Sequence, residues 1–404
     1  MRLQVKFSTF VKNNCAKGKL IIQDSISITP YPSFNQKMKK SIAQFILMQK
    51  YYMSFIPKRQ VYRANLLLVV IIFMTACSNH KIEKLERAFY FWKSNSSLSA
   101  NELQRCDSLA VKKIYIKFFE VNFNKNRGNF PEAKTEWWGR YDETNKGKEV
   151  VPTVYLRNIV FLKSSKEDLD VLADNVNFLI SKIQNEKFAE GILVNEFQMD
   201  CDWTLKSRDN YFYFLKKLKV ISGKKISCTL RLYPFKYRDK MGIPPVDKVM
   251  LMCYNLLNPI ENPNKNTILD LQELKEYLKA SEKYPLHLDV VLPVYAWAQV
   301  YHNELFSEVI YSNFKNLKSI LKEEKPFWYN VTKDTSINST YLRVGDKIKY
   351  EAMNVKKLSE AIGLLKKYID FDEMATVALF HLDENQLNNY SNEELTSIYT
   401  DFGK

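Results

Sequence analysis

The chain has 404 residues, 46% of them hydrophobic and 14% aromatic, with 10 Gly and 13 Pro. That excludes a disordered or low-complexity protein and allows one large domain or two small ones. The formal net charge is +15, but twelve of the 60 Lys and Arg and one of the 45 Asp and Glu fall in residues 1–76, leaving 48 bases against 44 acids beyond them. A folded part so nearly balanced argues against a nucleic-acid partner.

The basic N-terminal stretch reads as a leader. Lys58, Arg59 and Arg63 flank the apolar run "LLLVVIIFM", Leu66 to Met74. This run is short for a bilayer span, which takes ~20 apolar residues, and an uncleaved membrane anchor is the alternative reading. "MTAC" follows, with small Thr75 and Ala76 before Cys77. Charged flank, short apolar core and small-residue site make a secretory signal. The segment resembles a bacterial lipoprotein signal, which implies cleavage before Cys77, lipidation of that residue and anchoring to a membrane of the cell envelope. Such signals begin close to their apolar core, so Met53 is the expected start, residues 53–76 the signal, and residues 1–52 an over-called start.

Beyond the leader, strand-like apolar runs alternate with amphipathic stretches. "AFYFWK" (88–93) precedes a helix near 98–110, and "KIYIKFFEV" (113–121) precedes a long polar and aromatic loop. "VPTVYLRNIVFL" (151–162) leads to a helix near 166–185, and "GILVNEFQMDCDW" (191–203) to "RDNYFYFLKKLK". "KISCTLRLYP" (225–234) and "KVMLMCYNL" (248–256) follow, then a helix near 267–280 and "LHLDVVLPVYAWA" (286–298). The last strand, "ATVALFHL" (375–382), lies between helices near 354–369 and 391–400. Near-continuous apolar strands are buried on both faces, as in parallel sheets. Eight such units predict an α/β fold, a (β/α)8 TIM barrel over 77–404. A doubly wound sheet is disfavoured because no Gly-rich phosphate turn follows the early strands. Residues 303–352 are long for one connection and predict an insertion with a helix and a hairpin, between strand 7 and its helix, overhanging the barrel top.

In this fold the C-terminal strand ends face the site. Strand 2 ends in Glu120, strand 4 carries Asp200 and Asp202, and strand 5 carries Arg231. Strand 6 carries Tyr254 and Asn255, strand 7 Tyr295 and Trp297, and strand 8 His381 and Asp383. A period of two puts Glu196, Gln198, Asp200, Asp202 and Thr204 on one face and turns Cys201 and Trp203 toward the helices. Buried acids need partners, and Arg231 is the natural one because a guanidinium holds a carboxylate bidentately. A structural ion-pair layer inside the barrel is the alternative use of these acids.

"DCDWT", Asp200 to Thr204, resembles the strand-4 signature DxxDxDxE of the chitinase-like glycoside hydrolases. "MCYN", Met252 to Asn255, resembles their strand-6 motif MxYD, and an insertion after strand 7 also occurs in that family. The resemblance covers most of 88–400 in architecture and about a dozen residues in motif. It implies that Asp200 is the middle Asp of the signature and that Asp202 orients a substrate acetamido group. Four positions depart from the pattern: Phe197 stands for the first Asp, Thr204 for the general acid, Asn255 for the strand-6 Asp and Phe380 for the strand-8 Trp. A Thr hydroxyl cannot protonate a leaving group near neutral pH.

Two readings follow. In the first, the protein hydrolyses glycans with a non-standard acid. Glu120 would then act across the mouth from Asp202, with Asp200 as third catalytic carboxylate. Hydrolysis ordinarily needs two carboxyls, ~5–5.5 Å apart for retention and ~6.5–9.5 Å for inversion. In the second, the mouth binds a glycan without cutting it. In both, Gln198, Thr204, Arg231, Tyr254, Asn255 and Trp297 line the sugar site, Thr204 donates to Asp202 or to the ligand, and Trp137 and Trp138 are further stacking candidates. No cofactor is expected. Four His without HxH or HExxH spacing predict no zinc site, and Cys106, Cys201, Cys228 and Cys253 read as free thiols. The protein is expected to be a monomer.

Overall fold

The computed structural model describes residues 6–11, 22–27, 82–136, 147–189, 191–279, 282–312, 314–337 and 340–403. The chain divides into two units, Met1–Ser78 and Asn79–Lys404. In the first, the described residues form an antiparallel pair of strands, Lys6–Val11 and Ile22–Ser27. The signal over 53–76, Cys77, Trp137 and Trp138 lie outside the described residues.

The second unit contains a closed barrel. Its strands are β1 (Lys84–Phe91), β2 (Lys113–Asn124), β3 (Glu149–Leu156), β4 (Glu196–Asp200), β5 (Lys225–Arg231), β6 (Lys248–Met252), β7 (His287–Pro293) and β8 (Met374–Phe380). All neighbours pair in parallel, and β8 and β2 both pair with β1, which closes the ring. The fold is therefore the expected (β/α)8 barrel. Continuous burial along β8, from Ala375 to Leu379, reflects a strand packed on both faces. Helices cover the outside through apolar stripes. Lys166–Lys187 buries Leu169, Leu172, Ala173, Val176, Ile180 and Ile183, at helical spacing. Ser165 and Asp168 form a capping box that starts this helix.

Two irregularities matter for the mouth. A bulge in β2 between Lys117 and Phe119 inserts one residue against β3. In a regular strand, Lys117 and Glu120 would face opposite sides; here Lys117 Nζ reaches Glu120 Oε1 at 2.9 Å. β2 then continues past the barrel into a hairpin with Gly128–Glu132. Gly128, at φ 67°, supplies the left-handed turn.

The second irregularity corrects the expected strand 7. The run 286–298 is two strands, β7 ending at Pro293 and a separate strand, Ala296–His302, that belongs to another sheet. That antiparallel sheet has the order Leu305–Ile310, Ala296–His302, Lys347–Ala352, Trp328–Val331, Leu321–Lys325. The insertion thus begins at Ala296 rather than at 303 and carries more than one hairpin. The break was hidden because the residues after it are also apolar. Ala298 and Val300 are buried, but in a second core with Ile310, Leu317, Ile320, Val331, Leu342 and Ile348.

Below the mouth, the barrel interior holds a layer of ion pairs. Lys113 Nζ lies 2.7 Å from Glu86, 3.3 Å from Glu149 and 3.9 Å from Glu196. Lys248 Nζ lies 2.9 Å from both Glu196 and Asp289. Ser227 Oγ donates to Glu196 at 2.5 Å, and the Thr376 amide donates to Asp289 at 2.6 Å. Glu196 belongs to this floor.

Candidate functional site at the barrel mouth

The C-terminal ends of β2 to β5 bring four of the expected residues together. Arg231 Nε and one terminal nitrogen hold Asp202 bidentately, at 2.5 and 3.1 Å. About half of the Asp202 side chain and a third of the Arg231 side chain are exposed, so the pair forms part of the mouth surface. Asp200 lies deeper, 6% exposed, and its Oδ1 accepts from Thr229 at 2.6 Å. Burial first, and then the charge of Asp202, push the Asp200 carboxyl up to about 6, against the opposing hydrogen bond from Thr229. Beneath it, Gln198 accepts from the Tyr90 hydroxyl at 2.6 Å, and its Nε2 is buried with no protein partner.

Glu120 is held by cations rather than by Asp202. Its Oε1 is bonded by Lys117 at 2.9 Å and its Oε2 by Arg157 at 3.2 Å. Arg157 also binds Glu132 at 2.7 Å. Glu120 and Asp202, the two acids expected to act across the mouth from one another, are thus each engaged by a base. Sequence reasoning missed Lys117 and Arg157. The bulge that turns Lys117 inward leaves no sequence mark. Arg157 was legible in the sequence, since it directly follows β3 and so stands at a C-terminal strand end.

Thr204 also departs from expectation. β4 ends at Asp200, so the alternation does not extend to 204. The Thr204 N–H donates to Ser207 Oγ at 2.9 Å, and its hydroxyl lies 3.2 Å from the same oxygen. Its carbonyl accepts from the amides of Ser207 and Arg208. Thr204 is exposed and shapes the turn into the helix Arg208–Ser222 instead of donating to Asp202. Trp203 points outward as expected and packs on Tyr211 and Phe212.

The other half of the mouth is aromatic. Phe380, at the end of β8, lies 5.0 Å from Tyr254, 5.8 Å from Trp92 and Tyr295, and 5.9 Å from Tyr90, centroid to centroid. Tyr254 and Tyr295 are buried, whereas Phe380, Trp92 and Tyr155 are half-buried. The Tyr295 hydroxyl donates to Asn255 at 2.6 Å, and Asn255 stands in the left-handed region at φ 53°. Trp297 is held by its polar edge, its Nε1 donating to Glu351 of the insertion at 2.6 Å. His381 and Asp383 sit behind Phe380. Although burial pushes Asp383 up, the Lys93 ammonium 2.8 Å away holds it below the usual carboxylate range.

No family model matches the chain, and no curated protein matches it. The chain is similar in structure to the spore cortex-lytic enzyme SleL of Bacillus cereus, at 12% identity and a TM-score of 0.48, over 80% of this chain and 75% of that one. A fungal endo-β-N-acetylglucosaminidase of glycosyl hydrolase family 18 matches at 9% identity and a TM-score of 0.42, over 78% and 97% of the two chains. A xylanase–α-amylase inhibitor protein in complex with trehalose matches at 11% identity and a TM-score of 0.38, over 79% and 97%. The barrel assignment rests on the strand order of the chain itself.

Chemically, the mouth offers a charge-compensated polar wall, Asp202 with Arg231 and Glu120 with Lys117 and Arg157, facing a half-buried aromatic surface. Hydroxyl groups can be met by the first and an apolar ring face by the second. Among the described residues, no group of three or more His, Cys, Asp or Glu could hold a metal ion.

Proposed function

We propose that the protein binds a glycan at its barrel mouth without hydrolysing it. The observation that carries this reading is the engagement of the mouth carboxylates. Asp202 is clamped by Arg231, and Glu120 by Lys117 and Arg157. A general acid must stand free to reach the leaving-group oxygen, and the oxygens of Asp202 and Glu120 are already occupied by Arg231, Lys117 and Arg157. Thr204 supplies no acid, and its hydroxyl is turned to Ser207.

The alternative is hydrolysis with Asp200 as the acid. One observation favours it: the Asp200 carboxyl, pushed up to about 6, is partly protonated near neutral pH. Against it, Asp200 is 6% exposed and lies beneath Asp202.

Titration of the full chain with chitin, peptidoglycan and mannan oligosaccharides, paired with a reducing-end assay, separates the two. Saturable binding with no new reducing ends is expected, and Arg231→Ala and Phe380→Ala should each weaken binding roughly tenfold or more, about 1.4 kcal/mol. Bond cleavage that Asp200→Asn abolishes would establish the hydrolase, and an absence of binding to every oligosaccharide would reject both readings.

The leader motif supports a second element of the proposal. Cys77 carries a lipid that anchors the protein in the cell envelope. Metabolic labelling with a radioactive fatty acid should mark the parent and not Cys77→Ser; labelling that survives the substitution rejects the anchor.

A further inference from the structure

We infer that the aromatic pocket beside the mouth is a second sugar subsite, which receives one uncharged pyranose ring of a glycan whose neighbouring residue occupies the mouth. The inference rests on the glycan-binding reading. The pocket has a volume of about 340 Å3, at the low end of ligand-sized cavities of ~300–1,000 Å3, which suits one ring rather than a long segment. Its walls include Tyr295, Phe314, Tyr329, Tyr350, Met353 and Tyr390. The insertion therefore supplies one side, and the segment after β8 the other.

Three features define the occupant. First, the walls present rings more than hydroxyls. The Tyr295 hydroxyl is spent on Asn255, the Tyr390 hydroxyl on the Met353 carbonyl, and the Tyr350 hydroxyl accepts from the Phe314 amide. Phe314 packs at 4.9 Å from Tyr350 and 5.2 Å from Tyr329, tilted about 50° from each, so the three rings make an angled box. Such a surface grips the C–H face of a sugar. Second, no residue lining the pocket is ionised, and the exposed Asn389 amide at its edge is a neutral handle. A charged group placed there would lose its hydration without gaining a counter-charge. Third, the pocket adjoins the mouth at Tyr295. Tyr295 is shared: one side of its ring meets Phe380, and the same residue lines the pocket. On this inference, a glycan that stacks on Phe380 extends past Tyr295 toward Tyr329 and Phe314.

The test is length dependence. Neutral oligosaccharides of increasing length are titrated into the full chain and into Tyr329→Ala and Phe314→Leu, the latter keeping bulk while removing the ring. In the parent, affinity should rise about tenfold at the length that first reaches the pocket, the yield of one good aromatic stack. Both variants should lose that increment and keep the affinity of the shortest binding oligosaccharide, which also shows that they are folded. An oligosaccharide acidic at every residue should show no increment in the parent. Variants that retain the full length dependence would overturn the subsite, as would an alkyl chain that competes for it better than a sugar, and either result leaves the mouth reading standing. No binding at any length by the parent would instead remove the mouth reading and the subsite together.

Discussion

Burial and the charge of Asp202 push Asp200 up to about 6, while an unfolded Asp titrates near 3.9. Between these two values the folded chain holds a proton that the unfolded chain has released. Stability linked to this residue is therefore greatest below about pH 4, falls as the pH rises to about 6, and stays reduced above. Asp200→Asn keeps an acceptor for Thr229 and removes the charge. It should stabilise the protein at pH 7 by on the order of 2 kcal/mol and bring no gain at pH 4; urea unfolding at the two pH values measures this, and equal gains at both would reject the assignment. At the same scale, Thr204→Glu should change stability by less than ~0.5 kcal/mol, because the turn at 204 is held by backbone groups and by Ser207 rather than by the threonine methyl or hydroxyl alone. A larger loss in chemical denaturation would give the Thr204 hydroxyl a structural role. The sequence revealed Asp200, Asp202 and Arg231 because alternation and charge pairing are local rules. It misled at Thr204 because alternation holds only while the strand lasts, and β4 stops at Asp200.

The insertion sheet is tied to the barrel by a buried carboxylate. Glu351 lies 3.1 Å from Lys349 and accepts from Trp297, Gln299 and both the amide and hydroxyl of Thr267. Lys349 Nζ donates in turn to the Asn262 carbonyl in the loop after β6. Removing one member of a fully buried pair strands the other charge, so Glu351→Ala should cost about 3–5 kcal/mol, whereas Lys349→Met combined with Glu351→Met should come closer to the parent. Thermal unfolding compares the three proteins, and protease cutting within 296–352 should quicken in the single variant; an unchanged cutting rate would show that the tie does not hold the insertion. This anchorage was not legible in the sequence. Nothing near Trp297 in sequence points to Glu351, 54 positions away, as the acceptor of its indole N–H. The β2 bulge was hidden for a similar reason: it depends on the register with β3 and not on any residue type.

For the whole molecule, eight alternating units made the barrel readable, since each strand buried on both faces writes its own apolar run. The internal charges were harder to sort. Glu196 and Asp200 share a face of β4, yet one belongs to the floor and the other to the mouth. Lys248→Met should cost about 3–5 kcal/mol, because it leaves Glu196 and Asp289 buried without their shared base. In register, Lys248 pairs with Ser227 and Met252 with Arg231, so floor and mouth are four residues, or ~13 Å, apart along the strands. At that separation, the costs of Lys248→Met and Arg231→Ala should add within ~0.5 kcal/mol in a double variant; a larger coupling would show that the two layers sense one another.

That spacing also bears on how such a protein can change over generations. The ion pairs inside the barrel lie out of reach of the residues at the mouth. A substitution at position 204 or 255 leaves the floor intact, and selection acting on folding alone has little hold over it. The mouth is a surface that drift can redraw while the barrel stays the same.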